Sequence, residues 1–138
     1  MKQREPIASQ ISPLVWSLLG VVIVSAAVIL RLYALETKPF HHDEGINGMF
    51  ILGLLKPPYT FHYDPRNYHG PTLFYFAKLT TSAFGVTDFA VRFVPAFFSI
   101  ATILLMFSLR SWIGSVGALA SAALVAVSPG AVYFGRYF

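Results

Sequence analysis

The chain contains no cysteine and few charged residues. Without cysteine, disulfide bonds and thiolate metal sites are excluded. Charged residues make up 12% of the 138 residues and hydrophobic residues 56%, whereas soluble domains are roughly 25% charged. Together with a mean hydropathy of +0.63, this composition predicts an integral membrane protein.

Acidic residues are also scarce, with six Asp and Glu against ten Lys and Arg. The basic residues are scattered and form no basic patch with interleaved aromatics, so we expect no nucleic-acid partner. The sequence contains neither a G-x-S-x-G elbow nor a G-x-x-x-x-G-K-[ST] loop. Any transfer chemistry would therefore use an activated substrate rather than bound ATP.

Three apolar segments are long enough to cross a bilayer, which takes about 20 residues in a helix. We predict spans at about residues 13–33, 89–110 and 112–134. A cleavable signal peptide is the alternative for the first segment, since Lys2 and Arg4 precede it. A permanent anchor is favoured because signal peptides have shorter apolar regions of about 7–15 residues.

Two features inside the spans predict details of their packing. Pro95 lies near the start of the second span, where it should kink the helix. Gly114, Ala118, Ala122 and Ala126 recur at four-residue spacing in the third span, a small-residue stripe that allows another helix to approach closely. A generally small-residue composition is the alternative interpretation of this stripe.

The segment 34–88 connects the first two spans and is predicted to contain two short helices, at about residues 43–55 and 71–84. The first is too short to span and is expected to lie in the interface plane. The second is expected to be juxtamembrane, with a tilted or re-entrant span as the alternative. The predicted fold class is therefore all-α, a polytopic membrane helix bundle with about three spans and two short juxtamembrane helices.

Charge predicts the orientation of the spans. Lys2 and Arg4 lie in a short N-terminal tail, and Arg110 lies in a tight turn between the second and third spans. If both are cytoplasmic, as the positive-inside rule favours, the loop 34–88 is extracytoplasmic. This loop has basic residues of its own, but long segments translocate with less regard to charge.

Four consecutive ionisable residues, His41 to Glu44, follow the first span. Ionisable groups at membrane depth tend to mark function. One interpretation is structural, with Asp43 as a helix N-cap and Glu44 as a first-turn acid. Another is chemical, in which an ionised carboxylate acts as a base toward a hydroxyl or binds a divalent cation with nearby histidines. The spacing matches no H-E-x-x-H metal motif, and histidines that merely sit at the interface are a further alternative.

Four segments carry a resemblance to a known family. They are K-P-F-H-H-D-E-G-I-N-G-M-F (38–50), Y-D-P-x-x-Y-H-G-P-x-L-F-Y (63–75), F-G-V-T-D-F-A-V-R-F-V-P-A-F-F (84–98) and A-V-S-P-G-A-V-Y-F-G-R (126–136). In this order they resemble the start of a GT-C glycosyltransferase of the protein O-mannosyltransferase-like group. The particular similarity is to the prokaryotic flippase-activity-associated family of archaeal N-glycosylation, and it covers essentially residues 12–138.

This resemblance implies an enzyme of the prokaryotic plasma membrane that moves a sugar from a polyprenyl-phosphate donor to an acceptor on the extracytoplasmic side. It implies catalytic roles for Asp43 and, beside it, Glu44. The residues it implies for substrate binding are His41, His42, His69 and Arg136. Lys38 and Arg92 are further cations for the leaving phosphate, and no cofactor is implied except a divalent metal ion, which some GT-C enzymes use.

The resemblance also implies partners and leaves alternatives. Members of the family are several times longer, so we expect this chain to be an N-terminal fragment that is inactive without the remaining transmembrane helices. Its other partners would be the membrane and a lipid-linked sugar donor. The alternatives are a non-catalytic accessory to translocation of lipid-linked sugars and a carrier of metal ions.

Overall fold

A computed structural model describes residues 11–65 and 70–138, and the described part consists of helices and their connections. Three of the helices have the length and hydropathy of membrane spans, namely α1 (Pro13–Leu32), α4 (Asp88–Ser108) and α5 (Arg110–Val127). This confirms the predicted fold class, an all-α membrane protein with three candidate spans and shorter helices. The helices are α1 (Pro13–Leu32), α2 (His42–Leu54), α3 (Pro71–Phe84), α4 (Asp88–Ser108), α5 (Arg110–Val127) and α6 (Pro129–Phe134).

The chain divides into two compact units. Unit 1 comprises the described residues up to Tyr33 together with Phe97–Gly135, and unit 2 comprises Ala34–Ala96 with Arg136–Phe138. Helix α4 therefore contributes its first part to unit 2 and its second part to unit 1. Pro95 lies inside α4, which continues through it, and the predicted kink stays a prediction.

Unit 1 is built on the packing of α1 against α5. Ala118, Ala122 and Ala126 are buried, and the last two form a core with Ala27 and Ile103. The small-residue stripe is thus a packing face, as predicted. Gly114 does not extend the stripe, because its φ of 77° interrupts the helical backbone of α5. Glycine adopts this conformation readily, whereas residues with a Cβ do not.

The predicted third segment, 112–134, is divided into two helices. Helix α5 ends at Val127, and the Ser128 hydroxyl accepts a hydrogen bond from the backbone N–H of Ala131 to begin α6. Pro129 has no N–H, so the carbonyl of Val125 loses the partner it would have in a continuous helix. The proline therefore ends α5 inside the apolar segment.

Arg31 of α1 supplies the missing donors. Its Nη2 donates to the carbonyl of Val125 at 3.0 Å, its Nη1 donates to that of Ala126 at 2.9 Å, and its Nε donates to Ser99 Oγ at 2.7 Å. The side chain is fully buried in unit 1. It therefore does not extend out of the unit.

Unit 2 contains α2, α3 and the beginning of α4. Its core is apolar and is formed by Ile51, Leu54, Phe74, Ala77, Val91, Val94 and Phe138. Pro71 is in the first turn of α3, where its missing N–H costs nothing. Thr87 caps α4 by accepting a hydrogen bond from the N–H of Ala90 at 3.1 Å.

Candidate functional site

A reciprocal cap at the start of α2 positions the ionisable segment. His41 is the N-cap residue, and its Nδ1 accepts a hydrogen bond from the N–H of Asp43 at 3.5 Å. In return, the Glu44 carboxylate accepts one from the N–H of His41 at 3.0 Å. This arrangement is a capping box, which satisfies two N–H groups that a helix start leaves without partners.

The cap corrects one interpretation of the sequence. Asp43 is not the N-cap, because the N-cap is His41, two positions earlier. Glu44 is a first-turn acid, as that interpretation held. The carboxylate of Asp43 takes no part in the capping box, so it is available for other contacts.

The two neighbouring carboxylates lie in opposite environments. The side chain of Glu44 is 2% exposed, whereas that of Asp43 is 60% exposed. Consecutive helical residues point about 100° apart, since a turn takes 3.6 residues. One acid therefore points into unit 2 and the other toward its surface.

Glu44 is held by Arg92 from the first turns of α4. Arg92 Nε donates to Glu44 Oε1 and Arg92 Nη2 donates to Glu44 Oε2, each at 2.8 Å. The N–H of Phe138 also donates to Glu44 Oε1, at 3.1 Å. Paired, hydrogen-bonded charges of this kind are the form in which buried ions are tolerated.

Arg92 also fixes the segment that leads into α2. Its Nη1 donates to the carbonyls of Leu35 and Lys38, each at 2.7 Å. Its Nη2 makes a longer hydrogen bond of 3.4 Å to the carbonyl of Pro39, and its guanidinium lies 4.8 Å from the centroid of the Phe40 ring. Every guanidinium N–H thus has an acceptor within unit 2. Arg92, a sequence candidate for contact with a phosphate, is therefore committed to structure.

These contacts also set the charge state of Glu44. Burial by itself would raise the pKa of its carboxyl group. The hydrogen bonds from Arg92, His41 and Phe138, together with the positive charge of Arg92, outweigh burial, so the pKa of Glu44 lies below its ordinary value. Glu44 is therefore ionised at neutral pH and is a weak base.

The hydroxyl of Tyr137 lies within hydrogen-bonding distance of both Asp43 and His41. The Oη of Tyr137 lies 3.2 Å from Asp43 Oδ2 and 2.8 Å from His41 Nδ1. The rings of His41 and Tyr137 are tilted against each other with their centroids 5.7 Å apart. The structure thus brings two of the predicted residues, Asp43 and His41, together around a residue that the sequence did not indicate.

The other predicted site residues have separate positions. His42 is exposed in the first turn of α2. Arg136 is partly buried and donates from Nη2 to the carbonyl of Ala34 at 3.1 Å. His69 lies outside the described residues. The structure therefore leaves the substrate-binding roles of these three residues as predictions.

The described residues of this site offer few ligands for a metal ion. Among residues 11–65 and 70–138, no group of three or more His, Asp or Glu side chains is arranged to hold one. Glu44 is occupied by Arg92, which leaves Asp43 and His41 as two donors. We assign no step to a metal ion.

Sequence reasoning missed the partner of Glu44 and the role of position 137. The Glu44–Arg92 pair had a usable signal, because Arg92 is the one basic residue of α4 and a charge in an apolar helix tends to pair. Tyr137 had none, since it lies 94 residues from Asp43 in the chain. Only the fold brings it to the start of α2.

Three span-length helices fit a membrane glycosyltransferase of the GT-C type. The family model for dolichyl-phosphate-mannose-protein mannosyltransferase matches residues 68–138, more than half of the chain. The chain belongs to this family. No curated protein and no solved structure matches it. The matched residues include Arg92, Arg136 and Tyr137, whereas Asp43 and Glu44 precede them.

Proposed function

We propose that this protein transfers a sugar from a polyprenyl-phosphate-linked donor to an acceptor hydroxyl on the extracytoplasmic face of a prokaryotic plasma membrane. The name of its family describes a dolichyl-phosphate mannose donor and a protein acceptor, which supports this class of reaction. The observation that carries the proposal is the contrast between the exposed Asp43 and the buried, ion-paired Glu44.

Asp43 is the general base in this proposal. Its carboxylate takes the proton from the acceptor hydroxyl as the hydroxyl oxygen attacks the anomeric carbon of the sugar. The bond from that carbon to the phosphate oxygen breaks, and the lipid phosphate leaves with the electron pair. A single displacement of this kind inverts the configuration at the anomeric carbon.

Glu44 supports the base rather than sharing its role. Both of its oxygens accept hydrogen bonds from Arg92, so its lone pairs are engaged and its basicity is low. A base needs a carboxylate within hydrogen-bonding reach of the substrate, and Glu44 is 2% exposed. We assign it the task of fixing the first turn of α2, and therefore the backbone of Asp43.

The leaving phosphate needs nearby cations or hydrogen-bond donors. His42 and Lys38 are exposed beside the start of α2, and Arg136 directly precedes Tyr137 in the chain. We propose these three side chains as phosphate contacts, with His69 as a further substrate contact from the same loop. Arg92 is left out because its donors are engaged by the protein.

The test compares Asp43→Asn with the matched control Glu36→Gln, which removes an exposed acid from the same loop. Membranes that contain the full-length protein with each substitution receive tritiated dolichyl-phosphate mannose, and the label transferred to protein is measured. We expect transfer to fall by about 10²–10⁴-fold in Asp43→Asn, the usual contribution of a general base. We expect Glu36→Gln to match the wild type, and both variants to reach the membrane normally.

The same measurement distinguishes catalysis from the main alternative, a non-catalytic accessory role. Unchanged transfer by Asp43→Asn would refute a catalytic role for this site. In that case the accessory role in translocation of lipid-linked sugars becomes the better explanation, and transport of the labelled lipid in sealed vesicles would be measured instead.

A further inference from the structure

The hydroxyl of Tyr137 lies between two acceptors and has one hydrogen to donate. Its Oη is 2.8 Å from His41 Nδ1 and 3.2 Å from Asp43 Oδ2. Both distances are within hydrogen-bonding range. Which acceptor receives the hydrogen therefore depends on whether His41 Nδ1 carries a proton.

When His41 is neutral, its place in the helix cap determines where its proton is. Nδ1 accepts from the N–H of Asp43, so the ring hydrogen is on Nε2 and Nδ1 is an acceptor. The shorter contact of the hydroxyl then leads to His41. In this state Asp43 Oδ2 faces the oxygen of Tyr137 without needing to accept its hydrogen.

When His41 is protonated, the hydrogen bond between His41 and Tyr137 reverses its direction. Nδ1–H becomes a donor, and the Tyr137 oxygen at 2.8 Å accepts from it. The hydroxyl hydrogen then turns to Asp43 Oδ2 at 3.2 Å. A chain of imidazolium, hydroxyl and carboxylate results, in which each group donates to the next.

We propose that Tyr137 is a positioning residue that transmits the protonation state of His41 to the Asp43 carboxylate. This inference rests on the proposed function of Asp43 as the base. A carboxylate that accepts a hydrogen bond from a chain carrying positive charge is a weaker base. Protonation of His41 therefore weakens Asp43 as a base through the hydroxyl of Tyr137.

Other charges near these groups do not act in the same way. Glu44 on α2 and Arg92 on α4 are paired with each other. Arg136, beside Tyr137, donates to the carbonyl of Ala34. Of the remaining titratable groups on these elements, His42 and Lys38 are exposed.

The experiment measures transfer of mannose from dolichyl-phosphate mannose between pH 5 and pH 8 for the wild type, Tyr137→Phe and His41→Asn. Phenylalanine keeps the ring and removes the hydroxyl. Asparagine keeps an N-cap acceptor and removes the titration. His62→Asn and Tyr63→Phe are the matched controls, since both replaced side chains are exposed in unit 2.

We expect the wild-type rate to fall on acidification from pH 8 to pH 5. In Tyr137→Phe and in His41→Asn this fall should move to lower pH by more than about one unit, and the double variant should behave like either single variant. At pH 7.5, kcat of Tyr137→Phe should fall about two- to tenfold, the worth of one hydrogen bond, with KM within about twofold. The controls should keep the wild-type profile.

The outcomes are distinguishable from those of the proposed function. If Asp43→Asn loses transfer but Tyr137→Phe keeps both the rate and the acid limb of the wild type, the inference about Tyr137 is overturned and the base stands. If Tyr137→Phe fails to accumulate in the membrane, His41→Asn provides the test. A fall in its rate at the same pH as in the wild type would overturn the inference about Tyr137. If Asp43→Asn keeps transfer, the proposed function itself fails.

Discussion

Glu44 and Arg92 are buried charges that depend on each other. Their side chains are 2% and 4% exposed, and two hydrogen bonds join them. Removing one partner of such a pair is expected to cost about 3–5 kcal/mol of stability, because the other charge stays buried without a counter-ion. Since Arg92 also binds three carbonyls of the segment before α2, losing the pair should loosen that segment as well.

The pair predicts how stability depends on pH. The pKa of Glu44 is lowered in the folded protein, so its stabilisation is complete above the unfolded value of about 4.3 and is lost as pH falls toward the lower folded value. We expect the Tm difference between the wild type and Glu44→Gln in detergent to be constant above about pH 5 and to shrink on further acidification. Glu36→Gln should show no such difference, and a Glu44→Gln difference that grew with acid would contradict the assignment.

At the scale of single residues, sequence and structure both single out the segment His41 to Glu44. They differ in what they say about its two carboxylates, since only the structure shows which one is buried. The cluster His41 to Glu44 was recognisable because charges are rare in this chain. Burial separates Asp43 from Glu44, and burial depends on residues 48 positions away in the case of Arg92. Spacing along α2 alone does not contain that information.

Helix α5 packs in unit 1 through the small side chains along one of its faces. Ala118 and Ala122 are fully buried and Ala126 nearly so, where α5 packs on α1. Small residues allow helix backbones to approach closely, and van der Waals contact then replaces a hydrophobic driving force that lipid does not supply. A larger side chain on this face has no room without separating the helices.

We expect Ala122→Leu to destabilise unit 1 by about 1–3 kcal/mol, the usual cost of overpacking a filled core. Ala120→Leu is the matched control, because Ala120 is exposed on the opposite face of the same helix. Its effect should stay within about 0.5 kcal/mol. Thermal unfolding in detergent measures both, and equal effects of the two leucines would show that this face is not a packing surface.

Among the elements, helix existence was predictable and helix interruption was not. Long apolar segments and Pro71 at a helix start predicted α1, α3 and α4 from local chemistry. The break at Gly114 results from a backbone conformation that glycine permits but does not require. The break at Ser128 had a signal in Pro129, yet prolines also occur inside helices, as Pro95 does in α4.

At the scale of the whole molecule, α4 lies between residues 34–87 and the turn at Leu109 in the chain, and it has the length and hydropathy of a membrane span. The orientation itself is a prediction from charge. The chain is free of cysteine, so single cysteines introduced by mutation report on their own positions without background. Thr60 and Ser111 are exposed and suit this purpose.

We expect Thr60→Cys to react with a membrane-impermeant maleimide in intact cells, and Ser111→Cys to react only after the membrane is permeabilised. The measurement is the labelled fraction before and after permeabilisation, with the cysteine-free protein as the blank. The reverse pattern would place Asp43 in the cytoplasm and remove the basis for an extracytoplasmic reaction.

The contacts of Arg31 have a consequence for how the bilayer surrounds unit 1. A helix that stops in hydrocarbon exposes carbonyl oxygens, and these ordinarily draw in solvent or a neighbouring polar group. Here the guanidinium of a preceding helix binds the carbonyl oxygens of Val125 and Ala126 while remaining buried. These two oxygens can thus keep hydrogen-bond partners in a dry environment.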